Sequence, residues 1–161
     1  RDLDLSRHGL TSADWLAVVG VDAETRVAVE VKKNRGRSHF NFSHDDSTNQ
    51  WDSADAIEQR NTGDGTVPYE GAVAPFLEER NLVLITPKDY GFWEVGDKGI
   101  SKLGGFHGLL PNMNLVQRIV FRFLMGAGDR HGNTWGRPAP GVSMDDWAPP
   151  MPLNPPPRGN T

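Results

Sequence analysis

Gly63-Asp64-Gly65-Thr66-Val67-Pro68 and Gly105-Phe106-His107-Gly108 place one carboxylate and one imidazole in glycine-flanked stretches, with Asp64 and His107 43 residues apart. A carboxylate that holds an imidazole by one ring nitrogen leaves the other nitrogen to take a proton from a serine hydroxyl. That is the acid–base half of a hydrolytic triad. Asp64 between two glycines suits a tight turn whose backbone approaches the histidine closely. Thr66 and the start of the segment at Pro68 offer backbone N–H groups to the carboxylate. His107 would pass the proton on to the leaving group. The nucleophile is missing, because no G-x-S-x-G segment occurs in the 161 residues. Gly99-Ile100-Ser101-Lys102-Leu103-Gly104 has a serine near glycines, but Leu103 stands two after it and no strand leads into it.

The elements around these residues follow from the apolar pattern. Trp15-Leu16-Ala17-Val18-Val19-Gly20-Val21 is a continuous apolar run of the kind found in strands buried on both faces. From Thr25 to Lys33 the pattern alternates, with Val27, Val29 and Val31 on one side, and predicts an antiparallel partner for the Leu16–Val21 strand with one wet face. His39-Phe40-Asn41-Phe42 predicts a short strand, and Lys32-Lys33-Asn34-Arg35-Gly36-Arg37 a solvated hairpin tip. Residues 43–62 read as a polar excursion with one helical turn near Ala54–Ile57. Pro68 to Arg80 predicts a helix with Pro68 in its first turn and a kink or early stop at Pro75. Leu82-Val83-Leu84-Ile85-Thr86-Pro87 is the clearest buried parallel strand. Asn112 to Met125 is the clearest helix, with Leu115, Ile119 and Phe123 and the neighbouring Val116, Val120 and Leu124 as a broad apolar face and Gly126 as its stop. The chain from Arg130 onward reads as loop, and Ala148 to Thr161 as an extended or disordered proline-rich tail.

Composition narrows the function classes. Net charge is −4, and the six-residue run from Lys32 is the longest basic cluster, which argues against nucleic acid as the main partner. Without cysteine there is no disulfide framework, thiolate zinc site or cysteine nucleophile. No apolar stretch is long enough to span a bilayer. His44-Asp45-Asp46 is the one grouping with metal-ligand residue types, and it reads as an isolated acidic loop. His8, His39 and His44 read as surface positions. Gly128-Asp129-Arg130-His131-Gly132-Asn133 is similar to the G-D-R-H-x-x-N loop of phosphoinositide-type kinases. Its asparagine comes one residue too early and no D-F-G follows, so a structured turn is the better reading.

Strand, excursion, helix, strand, histidine segment and final helix, in that order, make up the closing third of an α/β-hydrolase. Around Asp64 the chain resembles the acid loop of the lecithin:cholesterol acyltransferase-like and related lipase-like α/β-hydrolases. Gly105-Phe106-His107-Gly108-Leu109-Leu110 resembles their histidine loop, and Asn112 to Met125 their closing helix. The likeness covers roughly residues 14–126. It implies an α/β fold: the C-terminal portion of an α/β-hydrolase, with parallel strands, a crossover helix, a β-hairpin and a final helix. Residues 1–129 would form that portion, and 130–161 a Pro/Gly-rich extension.

The resemblance further implies a serine hydrolase or acyltransferase acting on an acyl ester or lipid, with Asp64 as triad acid, His107 as base and no cofactor. Arg1 opens the sequence without methionine, and the serine is expected on an N-terminal segment or a separate chain. The alternative is a non-catalytic binding domain or degenerate hydrolase. Three structural expectations follow. Asp64 and His107 should meet within hydrogen-bond reach. Leu16–Val21 and Leu82–Thr86 should pair in parallel. The faces at Val18-Val19 and Leu84-Ile85 should be uncovered and need a partner, and Trp51, Trp135 and Trp147 are candidate docking points for a missing segment. Phe92 and Trp93 are candidates for lining an apolar substrate pocket.

Overall fold

A computed structural model describes residues 5–11, 14–41, 47–91, 94, 96 and 106–159. Phe42, His44-Asp45-Asp46, Phe92, Trp93, the Gly99–Gly104 segment and Gly105 lie outside the described residues.

The fold is mixed α/β, built on a small parallel sheet. Strand β1 (Ala17–Gly20) pairs in parallel with Leu82–Ile85, with Val18 beside Val83 and Val19 beside Leu84. Between them run β2 (Thr25–Arg26), β3 (Glu30–Asn34), β4 (Arg37–Asn41) and β5 (Ser47–Thr48). Leu82–Ile85 is therefore β6. β2 pairs with β5 and β3 with β4, both antiparallel. All four residues of β6 are buried, as an uninterrupted Leu/Val/Ile run requires. Val83 and Ile85 join one apolar cluster, Leu82 and Leu84 the other, as the twofold period of a strand dictates.

The helices are α1 (Ala56–Gln59), α2 (Tyr69–Ala72), α3 (Phe106–Leu109) and α4 (Asn114–Met125). Leu115, Val116 and Ile119 of α4 pack with Phe106 and Met113 on the Val83 and Ile85 side of the sheet, but the packed face is narrower than expected, since Val120 and Leu124 are exposed. Gly126 ends α4 in the left-handed conformation at φ 59°, which suits a residue without a Cβ. Tyr69, Val73 and Trp51 pack on the opposite side with Val19 and Leu84.

Three expectations are corrected here. The helix predicted from Pro68 to Arg80 is a single turn. Val73 is extended at φ −93°, ψ 110°, and a short 3-10 turn at Glu79–Asn81 follows. Pro75 accounts for the stop, because it disfavours a helical Ala74 and offers no N–H to continue the ladder. The alternating Thr25–Lys33 segment is not one half-buried strand. It pairs at 25–26 with β5 and again only from Glu30 with β4, never with the expected partner β1, and Val27, Val29 and Val31 are all exposed.

The third correction concerns the sheet faces. Val19, Leu84 and Ile85 are buried and Val18 is half-buried, all within this chain. Alongside α4 and Tyr69, part of the covering comes from the segment expected to be a loop or disordered tail. Leu84 and Arg137 exchange backbone hydrogen bonds of 2.9 and 3.3 Å on the free edge of β6. Trp147 and Met151 are buried in the core cluster, Trp135 packs against it, and Trp51 packs on the other side. The extended Pro149–Pro157 stretch is pinned where Asn154 N–H donates to Thr134 (3.1 Å) and Gly136 N–H donates to Asn154 (3.3 Å).

Candidate active site

Asp64 and His107 meet. His107 Nδ1 lies 2.7 Å from Asp64 Oδ2, inside the expected range. Asp64 is 6% exposed, whereas the His107 side chain is 47% exposed. The histidine thus turns one ring edge to a buried carboxylate and keeps the rest toward solvent. Among the described residues, no serine hydroxyl bonds to His107.

The acid sits in a turn that its own side chain organises. Asp64 Oδ1 accepts from Thr66 N–H (3.0 Å) and Val67 N–H (2.8 Å), while Asp64 N–H donates to Val67 C=O (3.2 Å). Asp64 thus spends one oxygen on its own loop and offers the other to the histidine. Gly65 holds φ 93°, which a residue with a Cβ rarely adopts.

Thr25 fastens this turn to the sheet. Its fully buried hydroxyl donates to Ala23 C=O (2.8 Å) and accepts Gly65 N–H (2.9 Å). Ala23 N–H in turn donates to Gly63 C=O (3.1 Å). Gly20, at the end of β1, allows the close approach: a Cβ there would lie 2.6 Å from Asp64 Cβ and 3.1 Å from the Phe106 ring.

His107 is set by the residue before it. Phe106 is buried against Tyr90 in an edge-to-face contact (6.2 Å, 70°), so the chain emerges at His107 with its direction fixed. The expected glycine loop is, at His107, the first turn of α3. Glu94 secures the next element: its carboxylate accepts Gly91 N–H (2.6 Å) and the first α4 amide, Asn114 N–H (2.8 Å).

Gly20, Thr25 and Glu94 were missed by sequence reasoning. The one available signal was Gly20 at the carboxyl end of a buried strand; Thr25 and Glu94 act across 40 and 20 residues with no local pattern. His8, His39 and His131 are exposed and apart from the pair. Asp129 accepts N–H groups from Asn133 (3.3 Å) and Thr134 (2.9 Å), so that segment is a structured turn.

Among the described residues, no three histidines or carboxylates gather as a metal site, and no helix is long and apolar enough to cross a membrane. An open cavity of about 400 Å³ lies along Trp147 to Leu153 and shares no lining residue with the Asp64–His107 pair. No family model matches this chain, and neither a curated protein nor a solved structure matches it.

Proposed function

We propose that this chain supplies the acid and the histidine of a serine hydrolase of the α/β-hydrolase type, lipase- or esterase-like and acting on acyl esters. The observation that carries this reading is the 2.7 Å contact between buried Asp64 and half-exposed His107. With His107 Nδ1–H donating to Asp64 Oδ2, Nε2 carries the lone pair and faces away from the acid. It can then take the proton of a serine hydroxyl as that oxygen attacks an ester carbonyl, and return it to the departing alcohol. Asp64 offsets the imidazolium charge formed in between and stays put, because Thr66 and Val67 hold its other oxygen. The acid following the β1 region, a parallel β6 and the histidine just before α4 also support this order of parts.

The serine and the oxyanion donors come, in this proposal, from polypeptide outside residues 1–161. The outer face of α4, where Val120, Phe121, Leu124 and Met125 are exposed, gives that polypeptide an apolar surface to rest on. One observation favours a second reading, a non-catalytic domain: both sheet faces are covered by this chain itself.

Fluorophosphonate labelling of the native preparation, followed by mass mapping, separates the two. The proposal predicts one adduct on a serine outside this sequence, and loss of acyl-ester hydrolysis in step with labelling. Absence of any adduct in protein that is folded and carries its natural flanking polypeptide would favour the non-catalytic domain.

A further inference from the structure

The β3–β4 hairpin plays no part in the site and stands clear of the core. Every residue of both strands is exposed. Its turn residues Arg35 and Gly36 have φ of 49° and 79°, the paired positive values of a tight two-residue hairpin turn. Val31 lies opposite Phe40 and Lys33 opposite Ser38, so alternation gathers these four on one face. Val31 is 55% and Phe40 63% exposed. Lys32 is paired with Glu30 at 2.8 Å, but Lys33, Arg35 and Arg37 make no ion pair among the described residues. Cations are thus concentrated on one projecting hairpin of a chain whose net charge is −4.

We propose that this hairpin docks on an anionic lipid surface, with Val31 and Phe40 entering the headgroup–acyl boundary and Lys33, on the same face, and Arg35, at the tip, at the phosphates. Exposed apolar side chains beside cations without an ion pair among the described residues are the combination that a lipid–water boundary satisfies at once. An acidic protein surface would meet the charges and leave the Val31–Phe40 pair needing a matching pocket. Single-stranded nucleic acid is held by successive stacking aromatics, and the hairpin has one, Phe40. The docking rests on the hairpin alone and is independent of what Asp64 and His107 do.

Co-sedimentation of the full chain with phosphatidylcholine vesicles, with and without phosphatidylserine, tests this. Binding is expected only with phosphatidylserine and should weaken as salt rises. Arg35→Asn keeps a residue suited to the turn and should lower partitioning about fivefold, and Lys33→Gln with Arg35→Asn about 25-fold. Val31→Ser with Phe40→Ser should lower it at every salt concentration, with the far-ultraviolet dichroism of all variants unchanged. Three results would overturn the proposal: no binding, equal binding to uncharged vesicles, or unaltered binding by the double variants. So would retention on an immobilised acidic polypeptide without retention on vesicles, which would assign the hairpin to a protein partner.

Discussion

At Asp64 the two carboxylate oxygens have separate tasks, and a single substitution can separate them. In Asp64→Asn the remaining oxygen can still accept from Thr66 and Val67 N–H, so the turn survives. The new amide N–H₂ then faces His107 Nδ1 and forces the proton onto Nε2, the wrong tautomer for a base. The account predicts a fall in ester turnover of about 10³–10⁴-fold with little change in melting temperature, read by paired activity and thermal unfolding measurements. Gly20→Ala tests the packing beneath the acid. Its Cβ meets Asp64 Cβ at 2.6 Å, so the acid must shift. Denaturant unfolding should show a loss of about 1–3 kcal/mol, accompanied by loss of turnover. That Asp64 and His107 would meet was legible in the sequence because each sits beside glycine in a recognisable segment. What holds them was not, since Thr25 reaches Gly65 across 40 positions through one hydroxyl.

Among the elements, legibility followed how much of the pattern was local. β6 and α4 were plain because a four-residue aliphatic run and a 3.6-residue stripe ending in Gly126 each occupy one short window. The β3 region was misread because alternation records which side a residue points to, and does not record whether anything packs there. The C-terminal segment was misread because proline-rich composition hides distant anchors. Asp89 is buried at the end of β6, accepts both Arg137 guanidinium nitrogens and Trp135 Nε1–H (2.9 Å), and so fastens the segment to the sheet. Arg137→Met leaves Asp89 buried and short of its main partner, and should destabilise the fold by about 3–5 kcal/mol in urea titrations.

Asp129 at the start of this segment adds a pH dependence. Burial disfavours its charge, but N–H donors from Thr134 and Asn133, the Arg122 guanidinium and a further backbone donor at His131 outweigh that and hold its pKa below the usual 3.8. Such a depressed value stabilises the fold above the unfolded-state pKa, and the contribution is lost as pH falls through the folded one. The stability difference between wild type and Asp129→Asn should therefore be full near neutrality and shrink below about pH 4.

For the molecule as a whole, an apolar cluster packs on each face of the sheet with the C-terminal segment in both, while the outer face of α4 and the β3–β4 hairpin keep apolar side chains exposed. On the proposed function, the α4 face is where the polypeptide carrying the serine would rest. Phe121→Lys with Leu124→Lys, at positions 60% and 74% exposed, should leave the melting temperature of this chain nearly unchanged and abolish its capture of that polypeptide. The most direct measurement of the central claim is the rate of fluorophosphonate labelling in the native protein, compared with His107→Ala and Asp64→Asn. The account predicts rapid labelling of one serine in the wild type, reduced by orders of magnitude in both variants, which stay folded. Labelling at the same rate in all three, or none in the folded wild type bearing its natural flanking polypeptide, would contradict it.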